Sequence, residues 1–299
     1  MSPPAFFAKT HSSVWSPNLF ADKVVLCTGG AGTICSVQVA ALIKLGANAA
    51  ILGRRAAHTS EVASQLATLR PGARVLGISC DVRDASSLIA AAEQTVKELG
   101  RIDFLIAGAA GNFLASVEQL STNAFKSVMD IDVLGSYNIV KACLPYLKWS
   151  KGRILFVSAT LHYTGSPFQI HVSAAKAAVD ALSRVLAVEL GPLGITSNVV
   201  APGPIAGTEG ISRLATESYM EAVRKSTPLQ RLGEAYNIAD ATIFLFSEAG
   251  SYVNGDIIVV DGGAWHRQGS LGEYPDVLLD GTVIEGVRGM KGKKGESKL

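Results

Sequence analysis

Short apolar runs alternate with longer segments of helical periodicity from about residue 20 to residue 265. Runs of this kind, bounded by glycine, proline and aspartate, are typical of strands that are buried on both faces of a sheet. Strands are predicted at 24–28, 49–52, 74–80, 104–107, 154–158, 196–201 and 256–260. Helices are predicted at 36–45, 60–69, 86–99, 123–149, 173–190 and 237–247, and the fourth could be two helices with a joint. The alternation predicts an α/β fold.

The predicted architecture is a Rossmann-type, doubly wound parallel sheet in a single domain that spans residues 21–267. Residues 1–20 are predicted to form an N-terminal arm, and residues 268–299 a C-terminal tail. A chain of 299 residues with 48% hydrophobic and 17% charged residues can form a large core, which excludes a disordered protein. A net charge of +2 does not favour nucleic-acid binding.

Cysteine spacing gives no indication of a metal site, and hydropathy gives none of a membrane span. The four cysteines show no spacing typical of metal ligands, so no metal is predicted, and the thiols are expected to be free and buried. They are Cys27, Cys35, Cys80 and Cys143. No apolar stretch is long enough for a membrane span.

The last three residues form a targeting signal. Ser297-Lys298-Leu299 is the tripeptide that the peroxisomal import receptor binds at the end of a chain. It follows a segment rich in glycine and lysine, which is expected to be accessible to a receptor. We therefore predict a peroxisomal location, with the import receptor as a partner.

A glycine-rich turn follows the first predicted strand, with the sequence TGGAGTIC over residues 28–35. Glycines at this position let the backbone approach a pyrophosphate, which then lies on the N–H groups of the following helix. The predicted cofactor contacts in this turn are Gly29, Gly30, Gly32, Thr33 and Ile34. The pattern departs from the usual spacing, because Thr33 and Cys35 occupy positions that are commonly glycine.

The end of the second predicted strand indicates which dinucleotide is bound. Arg54 and Arg55 occupy the position where an NAD-dependent enzyme carries a carboxylate for the ribose hydroxyls. A guanidinium suits a 2′-phosphate, so the sequence favours NADPH, although two solvated surface arginines are the alternative. Asp81 and Val82, after the third strand, are expected beside the adenine.

These features resemble the short-chain dehydrogenase/reductase family over residues 20–265. Lys176 occupies the position of the family lysine, but Val172 stands where the family tyrosine precedes it, and Asp132 replaces the usual asparagine. The segments AAGNF (109–113), MDID (129–132) and AAKAAVDAL (174–182) are similar to those of the peroxisomal 2,4-dienoyl-CoA reductases, and the glycine turn resembles their fungal branch.

The resemblance implies NADPH-dependent reduction of a 2,4-dienoyl-CoA to a 3-enoyl-CoA in peroxisomal β-oxidation. It implies that Asp132 and Lys176 are catalytic, with Lys176 also binding the nicotinamide ribose. A dienoyl thioester accepts a hydride far from the thioester and a proton near it, so no phenol is required at the hydride site. The loop after the sixth strand is expected to cover the nicotinamide through Pro202, Gly203, Ile205 and Thr208.

The resemblance also implies a set of acyl-CoA contacts, each of which has a structural alternative. Asn112 and Phe113 are expected at the edge of the pocket, although Phe113 could be a core residue. Residues 121–123 are expected beside the CoA, or alternatively to form only a helix cap. Three arginines are expected to contact CoA, or alternatively to be solvated. These candidates are Ser121, Thr122, Asn123, Arg54, Arg83 and Arg213.

Two rival interpretations remain open from the sequence. The chain could be a short-chain reductase of another enoyl- or 3-ketoacyl thioester, or an inactive family member that binds NADP. His162, Tyr163 and His171 lie near the missing tyrosine, but none has the tyrosine-to-lysine spacing, so none is expected to replace it. The apolar faces of 123–149 and 173–190 permit the homo-oligomer that the resemblance implies.

Overall fold

A parallel sheet forms the centre of the molecule. The computed structural model describes residue 7 and residues 9–208 and 217–267. Within these residues, seven parallel strands follow the order β3-β2-β1-β4-β5-β6-β7. The strands are β1 (Val24–Thr28), β2 (Asn48–Gly53), β3 (Val75–Ser79), β4 (Phe104–Ala107), β5 (Arg153–Val157), β6 (Thr196–Pro202) and β7 (Ile257–Val260). This confirms the predicted Rossmann-type sheet.

Helices cover both faces of the sheet and create two hydrophobic cores. They are α1 (Thr33–Lys44), α2 (Ala56–Ala67), α3 (Ala85–Leu99), α4 (Thr122–Met129), α5 (Gly135–Ser150), α6 (Leu161–Thr164), α7 (Ile170–Leu190), α8 (Glu217–Ser226) and α9 (Ala235–Phe246). One core lies between the sheet and α1, α2 and α9. The other lies between the sheet and α3, α5 and α7. The central strands are therefore buried from both sides, which explains their continuous apolar sequences, while β3 and β7 at the two edges are only partly buried.

The segment 123–149, predicted as one helix or two, contains a joint. Helix α4 ends at Met129, a π-helical turn covers Asp130–Leu134, and α5 begins at Gly135. A π-helical turn widens the backbone by one residue and is frequent at functional sites. It turns the side chain of Asp132 into the protein interior, where none of its surface is exposed.

The strand order reverses between β1 and β4, which places a crevice at the carboxyl ends of these strands. The chain runs outward from β1 to β2 and β3, then returns to β4 on the other side. Ligands of doubly wound sheets bind at such a reversal. The residues that follow β1, β2, β4, β5 and β6 are therefore brought to one edge of the sheet.

The described part of the N-terminal arm packs on α9. The Asp240 carboxylate accepts hydrogen bonds from the Ser12 backbone at 3.0 Å and the Trp15 indole at 2.7 Å. No helix among the described residues is long and apolar enough to cross a membrane. The four cysteines are free and buried, as predicted.

Asp103 joins the starts of β1 and β4 and allows a test of the fold's stability. Its buried carboxylate accepts the Val24 N–H at 3.0 Å and two Arg101 N–H groups at 2.6 and 2.7 Å. We expect Asp103→Ala to lower the free energy of unfolding by about 3 kcal/mol, because it leaves a buried N–H and a guanidinium without their acceptor. Urea unfolding measures this change.

Asp256 provides the control, because its side chain is exposed at the start of β7. Asp256→Ala should change stability by no more than about 0.5 kcal/mol. A loss below about 1 kcal/mol for Asp103→Ala would show that the carboxylate does not hold the two strands together.

Candidate active site

The glycine turn between β1 and α1 forms one end of the site. Gly29 has a φ of +66°, and a Cβ added there would lie 2.9 Å from the Gly108 carbonyl oxygen, so a side chain is excluded for two reasons. Gly32 precedes the first turn of α1, whose N–H groups have no acceptor within the helix. Four residues of the turn line a large cleft: Gly29, Gly32, Thr33 and Ile34. Free N–H donors at the positive end of a helix suit a pyrophosphate.

The two departures in the turn have different positions. Thr33 opens α1 and faces the cleft, as the prediction requires of a phosphate contact. Cys35 is buried, and its sulfur occupies the space that a Cβ on Gly108 would need, only 2.3 Å from that position. The thiol therefore fills the gap between the helix and the loop after β4. Gly30 packs against Ile51 beneath the turn and does not line the cleft.

The whole cleft has a volume of about 1320 Å³. Charged residues line the part of it that follows β2 and β3. Arg54, Arg55, Asp81 and Val82 all line it, as predicted for the adenosine end. Arg83 binds Asp81 through two N–H groups, at 3.0 and 2.6 Å. Mainly because of the hydrogen bond from Arg83, with a smaller contribution from Arg54, the pKa of Asp81 is lowered to about 2. The charge of Asp81 is thus largely balanced by Arg83.

The loop after β6 covers the opposite side of the cleft. Pro202, Gly203, Ile205 and Thr208 line the cleft, and the Thr208 hydroxyl donates to the Ile205 carbonyl at 2.9 Å. A Cβ on Gly203 would lie 2.3 Å from the Asp261 Cβ, so only glycine allows the loop to pass this close to the segment after β7. The predicted nicotinamide loop therefore forms a wall of the cleft.

Lys176 and Asp132 form a buried ion pair at the centre of the site. Lys176 is 7% exposed, and its Nζ lies 3.1 Å from Asp132 Oδ2. The same ammonium donates to the Val157 carbonyl at 3.0 Å, while Asp132 Oδ1 accepts the Gly111 N–H at 2.7 Å. An ammonium group carries three N–H donors, and among the described residues Lys176 uses one of them in a hydrogen bond, to Val157. Further donors therefore remain for a ligand in the cleft that Lys176 lines.

Val172 lies one helical turn before Lys176 and presents an aliphatic side chain to the cleft. It is only 2% exposed and packs with Val128 and Ala175. No hydroxyl group therefore stands at the position of the family tyrosine. The three residues considered as replacements have other environments.

His171 is completely buried and stacks on Phe113, with 4.2 Å between the ring centres. Burial lowers the pKa of its imidazole, although the Phe113 carbonyl and Asp132 oppose this shift. His162 and Tyr163 both bind the carboxylate of Asp180, at 2.8 and 3.2 Å. Neither His162, Tyr163 nor His171 is among the described residues that line the cleft.

The predicted acyl-CoA contacts occupy several places. Asn112 lines the cleft and donates to Gln169 at 3.3 Å. Phe113 is 39% exposed beside it, so it is not a core residue. Ser121 caps α4 by accepting the Ala124 N–H at 3.2 Å, and Thr122 and Asn123 are exposed in the first turn. Arg213 lies outside the described residues, as do residues 297–299, which were predicted to be a targeting signal.

Several cleft residues come from separate parts of the chain, and of these the sequence indicated only Met220, within residues 209–222, which were expected to form a substrate lid. Leu161 and Thr164 of α6, Met220 and Val223 of α8, and Trp265 after β7 all line the cleft. Most of these side chains are apolar, which suits an acyl chain. Neither short helix was predicted, because α6 is a single turn and α8 is polar over much of its length.

Comparison with known proteins agrees with this geometry. A family model described as enoyl-(acyl carrier protein) reductase matches residues 30–265. The chain is 54% identical over 269 residues to a Saccharomyces cerevisiae protein named peroxisomal 2,4-dienoyl-CoA reductase, (3E)-enoyl-CoA-producing, with 89% of this chain and 92% of the relative covered. A Danio rerio protein with the same description is 44% identical over 259 residues, and 85% of each chain is covered.

A solved structure has the same architecture. A short chain dehydrogenase from Bacillus anthracis superimposes with a TM-score of 0.75 at 34% identity, covering 83% of this chain and 98% of the other. The cleft at the reversal of strand order, the glycine turn and the lysine of α7 are thus those of a dehydrogenase that uses a nicotinamide dinucleotide. This chain belongs to the short-chain dehydrogenase/reductase family and, within it, to the group of the 2,4-dienoyl-CoA reductases.

Proposed function

We propose that this protein uses NADPH to reduce 2,4-dienoyl-CoA thioesters to 3-enoyl-CoA thioesters in the peroxisome. The observation that carries the proposal is the buried pair of Lys176 and Asp132 beside an aliphatic residue, Val172. Relatives that are named for this activity support the choice of substrate.

The substrate explains why the site needs no tyrosine. A ketone develops negative charge on the oxygen of the carbon that is reduced, and a phenol is a suitable acid for that oxygen. In a dienoyl thioester the new C–H bond forms at the far end of the diene, and negative charge spreads to the thioester oxygen. A proton must then be added to the carbon next to the thioester, which leaves a double bond between the third and fourth carbons. The site must therefore stabilise a distant oxyanion and supply one proton.

Lys176 and Asp132 are suited to these two tasks. When bound, NADPH supplies the hydride. The other N–H donors of Lys176 can bind the nicotinamide ribose or a water molecule in the cleft, while the Val157 carbonyl holds the ammonium in place. The carboxylate of Asp132 is fixed by Gly111 and keeps that ammonium oriented. We assign Asp132 the positioning of a water that carries the proton from solvent to the substrate, because its carboxylate lies 3.1 Å from the ammonium that lines the cleft.

The adenosine end supports NADPH over NADH. Arg54 and Arg55 are exposed guanidinium groups that line the cleft directly after β2. Asp81 cannot serve as a strong competing acceptor, because Arg83 already binds its carboxylate. The 2′-phosphate of NADPH is the ligand group that two free guanidinium groups favour.

The acyl-CoA is assigned to the opposite opening. Asn112 lines the cleft and the half-exposed Phe113 follows it in the chain, while the N-terminus of α4, where Ser121 accepts the Ala124 N–H, suits a CoA phosphate. Thr122 and Asn123 lie in the same turn. The family resemblance also implies CoA contacts for Arg54, Arg83 and Arg213. Arg54 lines the adenosine end and Arg83 binds Asp81 there, so their role in CoA binding stays a prediction that does not support this opening.

We also propose a homo-oligomer. Tyr137 of α5 and Val185 and Val188 of α7 are 47%, 55% and 78% exposed, although each is apolar in whole or in part. Exposed apolar side chains on two long helices favour pairing with a second copy.

Removal of either member of the ion pair tests the chemistry. We expect Lys176→Ala and Asp132→Ala to lower kcat/KM for a 2,4-dienoyl-CoA by about 100-fold or more, because the proton source and the oxyanion partner are lost. Absorbance of NADPH follows turnover. Asp130→Ala is the matched control, because Asp130 lies in the same π-helical turn but pairs with Lys126 on the protein surface. Near-normal turnover of either variant, or faster reduction of a 3-ketoacyl-CoA by the unmodified protein, would contradict the proposal.

Substitution of the two arginines tests the cofactor. Arg54→Ala and Arg55→Ala should each weaken NADPH binding by about tenfold and leave NADH binding nearly unchanged, because only NADPH carries the 2′-phosphate. Fluorescence titration gives both dissociation constants. Arg74→Ala removes an exposed arginine outside the cleft and should affect neither. Equal losses of affinity for both dinucleotides would argue against 2′-phosphate recognition.

Deletion of residues 297–299 tests the location. A fluorescent protein fused at the N-terminus should move from peroxisomes to the cytosol when the tripeptide is removed, because the receptor recognises the free chain end. Microscopy with a peroxisomal marker, in cells that lack their own copy, measures this. Lys294→Ala lies in the same tail and should leave the location unchanged. Peroxisomal fluorescence of the truncated protein would rule out this signal as the address.

A further inference from the structure

A buried group of three polar side chains lies behind the cleft. Asp180 is 2% exposed and lies one helical turn after Lys176 on α7. Its Oδ2 accepts from His162 Nε2 at 2.8 Å and from the Tyr163 hydroxyl at 3.2 Å. Burial, and then the charge of Asp180, raises the pKa of the Tyr163 phenol, so this hydroxyl remains a donor.

The three side chains hold helix α6 on helix α7. A helix of one turn, such as α6, is not stable by itself, because a single turn gains too few hydrogen bonds to offset its loss of entropy. Both donors to Asp180 belong to this turn. A buried carboxylate is also costly unless its partners are present, so the two helices depend on each other at this point.

Helix α6 forms part of the wall of the cleft. Leu161 and Thr164 line the cleft on one side of the turn, while His162 and Tyr163 bind Asp180 on the other. The Tyr163 ring also lies 5.3 Å from the ring of Trp265, a third residue of the wall. The position of this wall is thus coupled to Asp180 through side-chain contacts.

We propose that Asp180 is a positioning residue that determines acyl-chain specificity by holding the wall formed by Leu161, Thr164 and Trp265. The inference depends on the proposed function, because an apolar wall next to Lys176 suits the acyl part of a thioester and not the charged CoA. Lys176 lines the cleft, and Asp180, on the same helix, sets the shape of the space beside it.

The experiment compares Asp180→Ala and Asp180→Asn with the unmodified protein. Short-chain and long-chain 2,4-dienoyl-CoA substrates are each used to measure kcat and KM, and NADPH affinity is measured by fluorescence. Asp180→Ala should raise KM by about tenfold, change kcat by less than about threefold and reduce the preference between chain lengths, because the released wall no longer fits one chain. Asp180→Asn keeps one acceptor oxygen, so its rise in KM should be about a third of that of Asp180→Ala. NADPH affinity should not change.

Asp240→Ala is the matched control, because it removes a carboxylate that accepts from Ser12 and Trp15 outside this cleft. It should leave KM unchanged, so an equal rise in KM would assign the effect to general loss of stability and overturn the inference. If Asp180→Ala does not fold, Tyr163→Phe removes one donor, keeps the ring, and should raise KM by about threefold. An unchanged KM in this variant would equally overturn it.

The experiment also separates the inference from the proposed function. Normal turnover by the unmodified protein, together with unchanged KM and chain-length preference in the Asp180 variants, removes the inference alone. Absence of turnover with every dienoyl-CoA removes the proposed function and, with it, the inference.

Discussion

A lysine ammonium and an aspartate carboxylate, both removed from water, form the contact on which this site depends. Separately, either charge would be costly to bury, and together they remain stable only because backbone groups complete their hydrogen bonds. Val157 at the end of β5 accepts from Lys176, and Gly111 after β4 donates to Asp132. The pair is therefore positioned by two neighbouring strand ends, by α7 and by the π-helical turn.

The strand order explains why these groups meet. In a parallel sheet, all carboxyl ends lie at one edge, so the glycine turn after β1, the loop after β4 and helix α7 after β5 surround the same crevice. The unusual residues of the site are compatible with this frame. Cys35 fills space against Gly108, and Val172 fills the place of a tyrosine without breaking the packing of α7. The parallel sheet and its helices can thus keep their packing while the residues at the centre of the site differ.

The predicted strands lie within one residue of the observed ends in most cases, because continuous apolar runs between glycines have few alternatives. Helices were less well defined. Helix α2 begins at Ala56, before the predicted start at residue 60, and α7 begins at Ile170, before residue 173. Their first turns are held by contacts with other segments, which periodicity does not detect. The turn α6 is bound to Asp180, eighteen residues from His162, so local sequence could not reveal it.

The sequence by itself determined the fold class, the glycine turn and the arginines after β2, because each depends on residue type at a fixed place in a repeating pattern. It offered Lys176 and Asp132 as site residues through a family resemblance. Only the tertiary structure decided how these residues meet. It paired Asp132 with Lys176 and brought α6, α8 and Trp265 together around one cleft. Such contacts join residues far apart in the chain, and their geometry follows from packing and strand order, which no local pattern contains.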